Sequence, residues 1–123
     1  MIRSVDIEDE MRILLSDYYT AYCDPIPARY TLPFIRVTNT GGSEENRVDT
    51  FMVVVEAYAE TDAEACEIAR NAVGILKESV YYYVRENTKP TRFQDPLRPD
   101  LCRYRTTVLA TAHQETFNLS RRL

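Results

Sequence analysis

The chain has 123 residues, 45% of them hydrophobic and 28% charged, with a formal net charge of -4 and a pI near 5.0. This length suits one domain with one core, and no run approaches the ~20 apolar residues that span a bilayer. The acidic balance argues against a general affinity for nucleic acid, because nonspecific binding requires clustered Lys and Arg side chains. The composition therefore predicts a single soluble domain over residues 1–123.

The N-terminus lacks both a long apolar run and a small-residue cleavage site, so it does not read as a signal peptide, and we expect the protein to stay in the cytosol where it is made. The three cysteines have no C-x-x-C spacing, and an odd number cannot all pair within one chain. We expect Cys23, Cys66 and Cys102 to be reduced and to act as small apolar residues.

The first periodic segment predicts an amphipathic helix over residues 5–19, with acidic residues near its start, where the helix dipole favours negative charge. Its apolar stripe comprises Ile7, Met11, Leu14, Leu15, Tyr18 and Tyr22. Residues 23–33 then contain Pro25, Pro27 and Pro33, which remove backbone donors and fix φ. This segment predicts an extended connector.

Two strands are predicted next, over residues 34–38 and 48–58, and they should form an antiparallel hairpin. The polar segment 39–46 between them contains Gly41 and Gly42, whose freedom to adopt positive φ suits the reversal of the chain in a long loop. Both faces of the second strand are apolar around residues 51–55. We therefore expect helices to cover one face and something else to cover the other.

A second helix is predicted to begin at a capping box formed by Thr61 and Glu64. Its apolar stripe comprises Ala65, Ile68, Ala69, Ala72, Val73, Leu76 and Val80. Gly74 costs about 1 kcal/mol relative to alanine in such a helix, which weakens the prediction of continuity there.

Residues 81–85 predict an irregular strand, which a loop through Pro96 and Pro99 separates from a last strand over residues 103–113. Residues 114–123 are weakly patterned and predict an arm or tail. The order α-β-β-α-β-β predicts an α+β fold with a mainly antiparallel four-stranded sheet and two helices packed on one of its faces.

The sequence offers no catalytic, cofactor or metal site that can be recognised. One histidine and dispersed cysteines do not give metal-ligand spacing. His113, the one candidate base for a nucleophile, is predicted to be an exposed residue at a strand end. The pair Gly41 and Gly42 leads into Glu44 and Glu45, whose charge would repel a phosphate. The remaining carboxylates are explained by loop solubility or by helix starts.

Basic residues cluster between Arg85 and Arg105 and again at Arg121 and Arg122. In an acidic protein they form either a solvated face or a local positive surface that meets DNA or an acidic partner. Interspersed acids such as Glu86 favour the solvated face.

Several short motifs follow one another in a fixed order. They are T-G-G at 40–42, N-R at 46–47, D-x-x-x-V-x-V-E-x-Y at 49–58, T-x-A-E-A at 61–65, F-x-D-P at 93–96 and R-Y-R-x-T-V at 103–108. In this order and spacing, the chain resembles the tail terminator proteins of long-tailed (siphovirus) actinobacteriophages, a head-to-tail joint family. The likeness is centred on residues 37–76 and extends over residues 34–112.

The resemblance implies a structural virion protein that forms a ring, usually a hexamer, which caps the tail tube, stops its polymerisation and joins the tail to the head. The implied partners are other copies of the chain, the tail tube protein and a head-closure or connector protein. Genomic DNA would pass through the lumen without sequence-specific binding, and no membrane is involved. Such a protein is located in the virion, at the head-tail joint, and needs neither a catalytic residue nor a cofactor.

We expect contacts between subunits or with partner proteins from segments 40–47 and 87–101 and from the C-terminal arm, because these are polar and lie outside the core elements. The predicted contact residues are Thr40, Gly41, Gly42, Glu44, Glu45, Asn46, Arg47, Phe51, Val53, Val55, Arg92, Phe93, Arg103, Arg121 and Arg122.

Two alternatives remain open from the sequence. One is another neck component, such as a head-closure or tail-completion protein, which would share small size and ring symmetry. The other is a small ligand-binding or enzymatic α+β domain with a pocket lined by Tyr81, Tyr82, Tyr83 and Arg85.

Overall fold

A computed structural model of the chain describes residues 6–45 and 48–113. The elements follow the order α1 (Ile7–Leu15), β1 (Thr20–Tyr22), β2 (Phe34–Glu45), β3 (Val48–Ala59), α2 (Asp62–Leu76), β4 (Tyr83–Arg92) and β5 (Cys102–His113). The predicted α+β class with two helices is therefore confirmed.

The strands form one five-stranded mixed sheet in the spatial order β1-β2-β3-β5-β4. The β2–β3, β3–β5 and β4–β5 pairs are antiparallel, whereas β1 is parallel to β2, with Thr20 opposite Phe34. The prediction of four strands was wrong because β1 has only three residues, too few to show an alternating pattern. It is the pairing with β2, across an 11-residue gap in sequence, that makes residues 20–22 a strand.

Helix α1 is shorter than predicted. It begins after Asp6, whose side chain accepts a hydrogen bond from the Asp9 amide at 3.2 Å. It ends at Leu15, and the hydroxyl of Ser16 donates to the carbonyl of Arg12 at 2.6 Å. The chain then turns towards β1, which leaves Tyr18 59% exposed rather than on the apolar stripe.

The predicted hairpin is confirmed as the β2–β3 pair, but its predicted loop is wrong. Residues 39–45 belong to β2, and Glu45 pairs with Val48 of β3, so the strands continue through the described part of the predicted loop. Asn46 lies outside the described residues. A shift of register between Asn39 and Gly41 marks a β-bulge, and Gly41 has a φ of +145°. The glycines therefore serve an irregularity within the strand and a close approach to β3, not the turn itself.

Gly42 lies so close to β3 that a Cβ atom there would collide with the carbonyl oxygen of Thr50. We expect Gly42→Ala to lower the free energy of unfolding by about 1–3 kcal/mol, because the two strands must move apart locally. Gly74→Ala is the control, since this exposed helical position has open space around it and should gain about 0.5–1 kcal/mol. Urea unfolding followed by circular dichroism measures both. Equal effects would contradict the placement of Gly42.

Helix α2 begins as predicted. The hydroxyl of Thr61 accepts a hydrogen bond from the Glu64 amide at 3.2 Å, and the helix continues through Gly74. The buried stripe is confirmed at Ala65, Ile68, Ala69, Ala72, Val73 and Leu76. The inclusion of Val80 was wrong, because the helix ends at Leu76 and Val80 is 83% exposed.

Both helices pack on the same face of the sheet, which we call the helix face, as predicted. The core there joins Ile7, Met11 and Leu15 of α1 to the stripe of α2 and to inward residues of β2, β3 and β5. The opposite side is the open face, where Phe34 of β2 lies beside Tyr58 of β3. One end of the open face is covered by residues 93–101, named here the proline loop.

Candidate functional site

The predicted contact residues that the structure describes are divided between the two ends of the sheet. Gly42 pairs with Phe51 near the hairpin tip, whereas Arg103 pairs with Tyr58 near the proline loop. Seven residue steps of β3, roughly 23 Å, separate these two positions. Asn46, Arg47, Arg121 and Arg122 lie outside the described residues, as does the predicted arm at 114–123.

At the hairpin tip, the predicted residues are exposed but the strand edge is occupied by the chain itself. The Asn39 amide donates to the carboxylate of Glu8 at 2.6 Å, and the Gly41 amide donates to the Asn39 side chain at 3.1 Å. The hydroxyl of Thr40 donates to the carbonyl of Met52 at 3.0 Å. The contact with Glu8 and the bulge protect the outer edge of β2 from pairing with another strand, whereas the Thr40 hydrogen bond faces β3. The exposed sequence beyond it is acidic, with Glu44 and Glu45.

Three predicted contact residues of β3 lie on the helix face. Val53 and Val55 are fully buried beneath the helices, and Phe51 packs against the same core. Their prediction as contacts is wrong for Val53 and Val55, because their side chains are already covered within the domain. On the open face of the same strand, Met52 is 42% exposed and offers apolar surface instead.

Arg103, which was predicted as a contact residue, lies instead in a buried ionic network. The carboxylate of Glu56, 1% exposed, lies 2.8 Å from Nη1 of Arg103, 3.4 Å from Nη2 of Arg105 and 3.4 Å from Nε of Arg36. Arg103 also donates to the carbonyls of Phe93 at 3.0 Å and Gln94 at 3.1 Å. Its guanidinium therefore anchors the proline loop to the sheet and has little surface left for a partner or for DNA.

A second buried carboxylate fixes the interior of the proline loop. Asp95 accepts hydrogen bonds from the Tyr58 hydroxyl at 2.9 Å, the Leu97 amide at 3.0 Å and Arg98 at 3.3 Å. Burial favours the neutral carboxyl, but these donors outweigh it and hold the pKa of Asp95 below its ordinary value. Burial and the charge of Glu56 raise the pKa of Tyr58, so this phenol stays protonated and able to donate.

The lowered pKa of Asp95 predicts a dependence of stability on pH. A carboxyl with a lower pKa in the folded state stabilises the protein above its unfolded pKa and loses that contribution as the pH falls through the folded pKa. We expect Asp95→Asn to cost about 1–3 kcal/mol at pH 7, and the difference from wild type to shrink below about pH 4. Urea unfolding at pH 7 and pH 3 measures this. Asp100→Asn, exposed in the same loop, is the control, and a cost independent of pH would contradict the assignment.

The outside of the proline loop carries exposed apolar groups. Leu97 is 85% exposed, and Phe93 is 43% exposed with the Arg105 guanidinium 4.8 Å from its ring centroid. Arg92 lies beside them, 52% exposed, and pairs with Asp62 at 3.0 Å. Of the residues predicted here, Arg92 and Phe93 are accessible to a partner. The prediction of a loop over 87–101 is wrong in its first part, because residues 87–92 belong to β4.

An apolar groove that the sequence did not predict lies on the helix face, where α1 passes the end of α2. Its volume is about 260 Å³. We name it the acidic groove, and its lining comprises Glu10, Ile13, Leu14, Asp17, Glu78, Ser79, Val80, Tyr81 and Tyr82. Ile13 and Val80 are 47% and 83% exposed. The one signal in the sequence was Ile13, an apolar residue off the stripe of α1.

The three tyrosines of the predicted pocket line one open depression of about 250 Å³, which Arg85 does not reach. Tyr81 and Tyr82 line the acidic groove, where burial raises the pKa of Tyr82 to about 12. Tyr83 and Arg85 instead lie on the open face of β4, opposite Thr111 and Leu109, and both are exposed. The structure therefore brings the three tyrosines to one depression but leaves Arg85 outside it.

The chemistry of the thiols does not favour nucleophilic catalysis. All three cysteines are free, burial raises the pKa of Cys23, and contact with the Asp62 carboxylate raises that of Cys102. Among residues 6–45 and 48–113, no three potential ligand side chains come together as a metal site would require. No helix in that part of the chain is long and apolar enough to cross a membrane. Neither protein-family models nor curated protein sequences gave a match to this chain.

Proposed function

We propose that this chain is a structural subunit of a phage head-tail joint. It forms a ring, six-membered as is usual in the family that it resembles, on the end of the tail tube. The ring stops polymerisation of the tube and joins it to the connector beneath the head, and the genome passes through the lumen. The other partners are the tail tube protein and the connector or head-closure protein, and no step requires an enzyme or a cofactor.

One observation carries the proposal: the motifs that underlie the resemblance meet in space. The glutamate of D-x-x-x-V-x-V-E-x-Y is Glu56, which pairs with Arg103 and Arg105 of R-Y-R. The tyrosine of the first motif is Tyr58, whose hydroxyl donates to Asp95 of F-x-D-P. Segments distant in the sequence thus form one packed unit, so their joint occurrence has a physical reason and is stronger support than any motif taken alone.

The distribution of exposed groups supports assembly further. Apolar side chains are exposed at separate places, at Val80 on the helix face and at Leu97 on the proline loop. Exposed apolar surface at more than one place suits a subunit with a neighbour on each side and further partners along the ring axis.

The experiment is electron microscopy of particles made with and without this protein. A terminator is expected to leave tubes of irregular, excessive length when it is missing, and restoring it should give uniform tails joined to heads. Free tails of normal length would point to a head-closure or tail-completion protein instead. Intact particles with normal tails would contradict any role in the joint.

A further inference from the structure

We infer that the C-terminal arm, residues 114–123, binds along the acidic groove of its own chain. The contact goes beyond the proposed ring and does not depend on it. It places Arg121 and Arg122, which were predicted to meet a partner, on the arm's own domain. The position where β5 ends, the apolar residues of the arm and the charges on both sides support this contact.

The end of β5 places the start of the arm beside the groove. Thr111 of β5 pairs with Tyr83, and the strand continues two residues further, to His113. Residues 79–82 line both the groove and the depression of about 250 Å³ next to it, and Thr111 lines that depression as well. Ten extended residues span up to about 33 Å, so the arm is long enough to follow the groove.

The arm carries apolar side chains that suit the floor of the groove. Phe117 and Leu119 are two positions apart, the spacing that puts both side chains on one side of an extended segment. In the groove, Ile13 and Val80 leave apolar surface exposed. Contact between these two pairs removes apolar surface of both from water, which is favourable.

The charges of the groove and of the second half of the arm are opposite. Glu10, Asp17 and Glu78 line the groove, and none of the described residues that line it is basic. Asp17 and Glu78 are exposed and form no ion pair with another residue in the described part of the chain. The second half of the arm contains Arg121 and Arg122 and no acid. An apolar segment followed by two arginines therefore matches an apolar floor with an acidic rim.

The first half of the arm matches the surface that it must cross to reach the groove. The depression beside Thr111 is lined by Lys77, and Glu115 is the second residue after His113. The order of charges along the arm, acidic and then basic, is thus complementary to the order on the surface. Because a short link joins the arm to this site, its effective concentration there is roughly millimolar, which favours the arm of the same chain over that of a second copy.

Cleavage of the full chain by chymotrypsin after Phe117 measures whether the arm is docked, because the rate follows the undocked fraction when undocking is fast. Val80→Asp puts a charge on the groove floor at an exposed position, and it should raise the initial rate about tenfold or more. Glu67→Arg, exposed on α2 outside the groove, is the control and should be cleaved like the wild type. Mass spectrometry follows the release of residues 118–123, and circular dichroism checks that each variant is folded.

A charge exchange tests the rim of the groove. Arg121→Glu together with Arg122→Glu should raise the cleavage rate severalfold, because the arm then carries the same sign of charge as the rim. Adding Asp17→Arg and Glu78→Arg to this variant should restore slow cleavage, whereas adding Glu67→Arg should not.

Equal cleavage rates for the wild type and Val80→Asp would overturn the contact, because the arm would then lie elsewhere. A wild-type rate that rises on dilution to that of Val80→Asp would also overturn it, since the groove would then hold the arm of a second copy. Neither result decides whether the chain forms a ring at the head-tail joint. Electron microscopy of the particles tests that function separately, so the two proposals can fail independently.

Discussion

Replacing Glu56 with alanine is expected to lower the free energy of unfolding by about 3–5 kcal/mol. The Glu56 side chain is 1% exposed and its carboxylate lies 2.8 Å from the guanidinium of Arg103, whose side chain is 10% exposed. Removing it leaves a buried cation without its counter-charge. The cost therefore reflects the penalty of leaving Arg103 buried without its counter-charge more than the net contribution of the ion pair. Forming the pair itself required both groups to leave water, which offsets much of their attraction.

The comparison with an exposed pair makes this prediction specific. Glu86 lies 2.9 Å from Lys89, whose side chain is 87% exposed, so Glu86→Ala should cost at most about 1 kcal/mol. Glu56→Gln should fall between the two, because the amide keeps the volume and can accept one hydrogen bond from Arg103. Urea unfolding at neutral pH measures all three. Similar costs for Glu56→Ala and Glu86→Ala would show that the network is solvated and does not anchor the proline loop.

Local signals were sufficient where a few neighbouring residues decide the structure. Thr61 and Glu64 located the start of α2 because a cap is a contact between residues three positions apart. The spacing of the apolar residues identified the buried stripe of α2 for the same reason, because the helical period is visible within the segment itself. The fold class and the β2–β3 hairpin followed from such patterns.

Local patterns were insufficient where residues distant in the sequence decide the structure. Gly41 and Gly42 carry a turn signal, yet the pairing of β2 with β3 continues past them, and their small size is needed for a bulge and a close approach. Strand β1 exists only through its parallel partner. Val80 completed the helical period, but the chain leaves the helix at Leu76.

The candidate site could be predicted only in part, because an interaction surface is defined by what the rest of the chain leaves uncovered. The sequence indicated Arg92 and Phe93 but could not show that Arg103, ten residues further on, turns inward to Glu56. The acidic groove joins residues of α1 to residues 78–82, and no pattern within either segment predicts the other. Charge and polarity alone therefore overestimated the accessible surface around Arg103 and missed the groove.

Phe34→Ala is the second substitution with a large expected effect, about 3–5 kcal/mol in the free energy of unfolding. The ring is fully buried and stacks on Tyr58 with centroids 4.5 Å apart. Its centroid also lies 5.4 Å from that of Tyr22 and 5.2 Å from that of Tyr30. Its loss leaves a cavity between the open face and the connector at residues 23–33. Thermal unfolding should show the loss as a lower midpoint.

Phe93→Ala separates stability from assembly on the same side of the sheet. This ring is 43% exposed and meets Arg105 in a cation-π contact, so its removal should cost only about 0.5–1 kcal/mol. Because the sequence predicts Phe93 as a contact residue and its ring is accessible, Phe93→Ala is expected to weaken ring formation at nearly unchanged stability. Phe34→Ala, assayed well below its unfolding midpoint, should retain ring formation in the folded fraction. Loss of ring formation by folded Phe34→Ala, with normal rings from Phe93→Ala, would mean that Phe34 and not the proline loop reaches the partner.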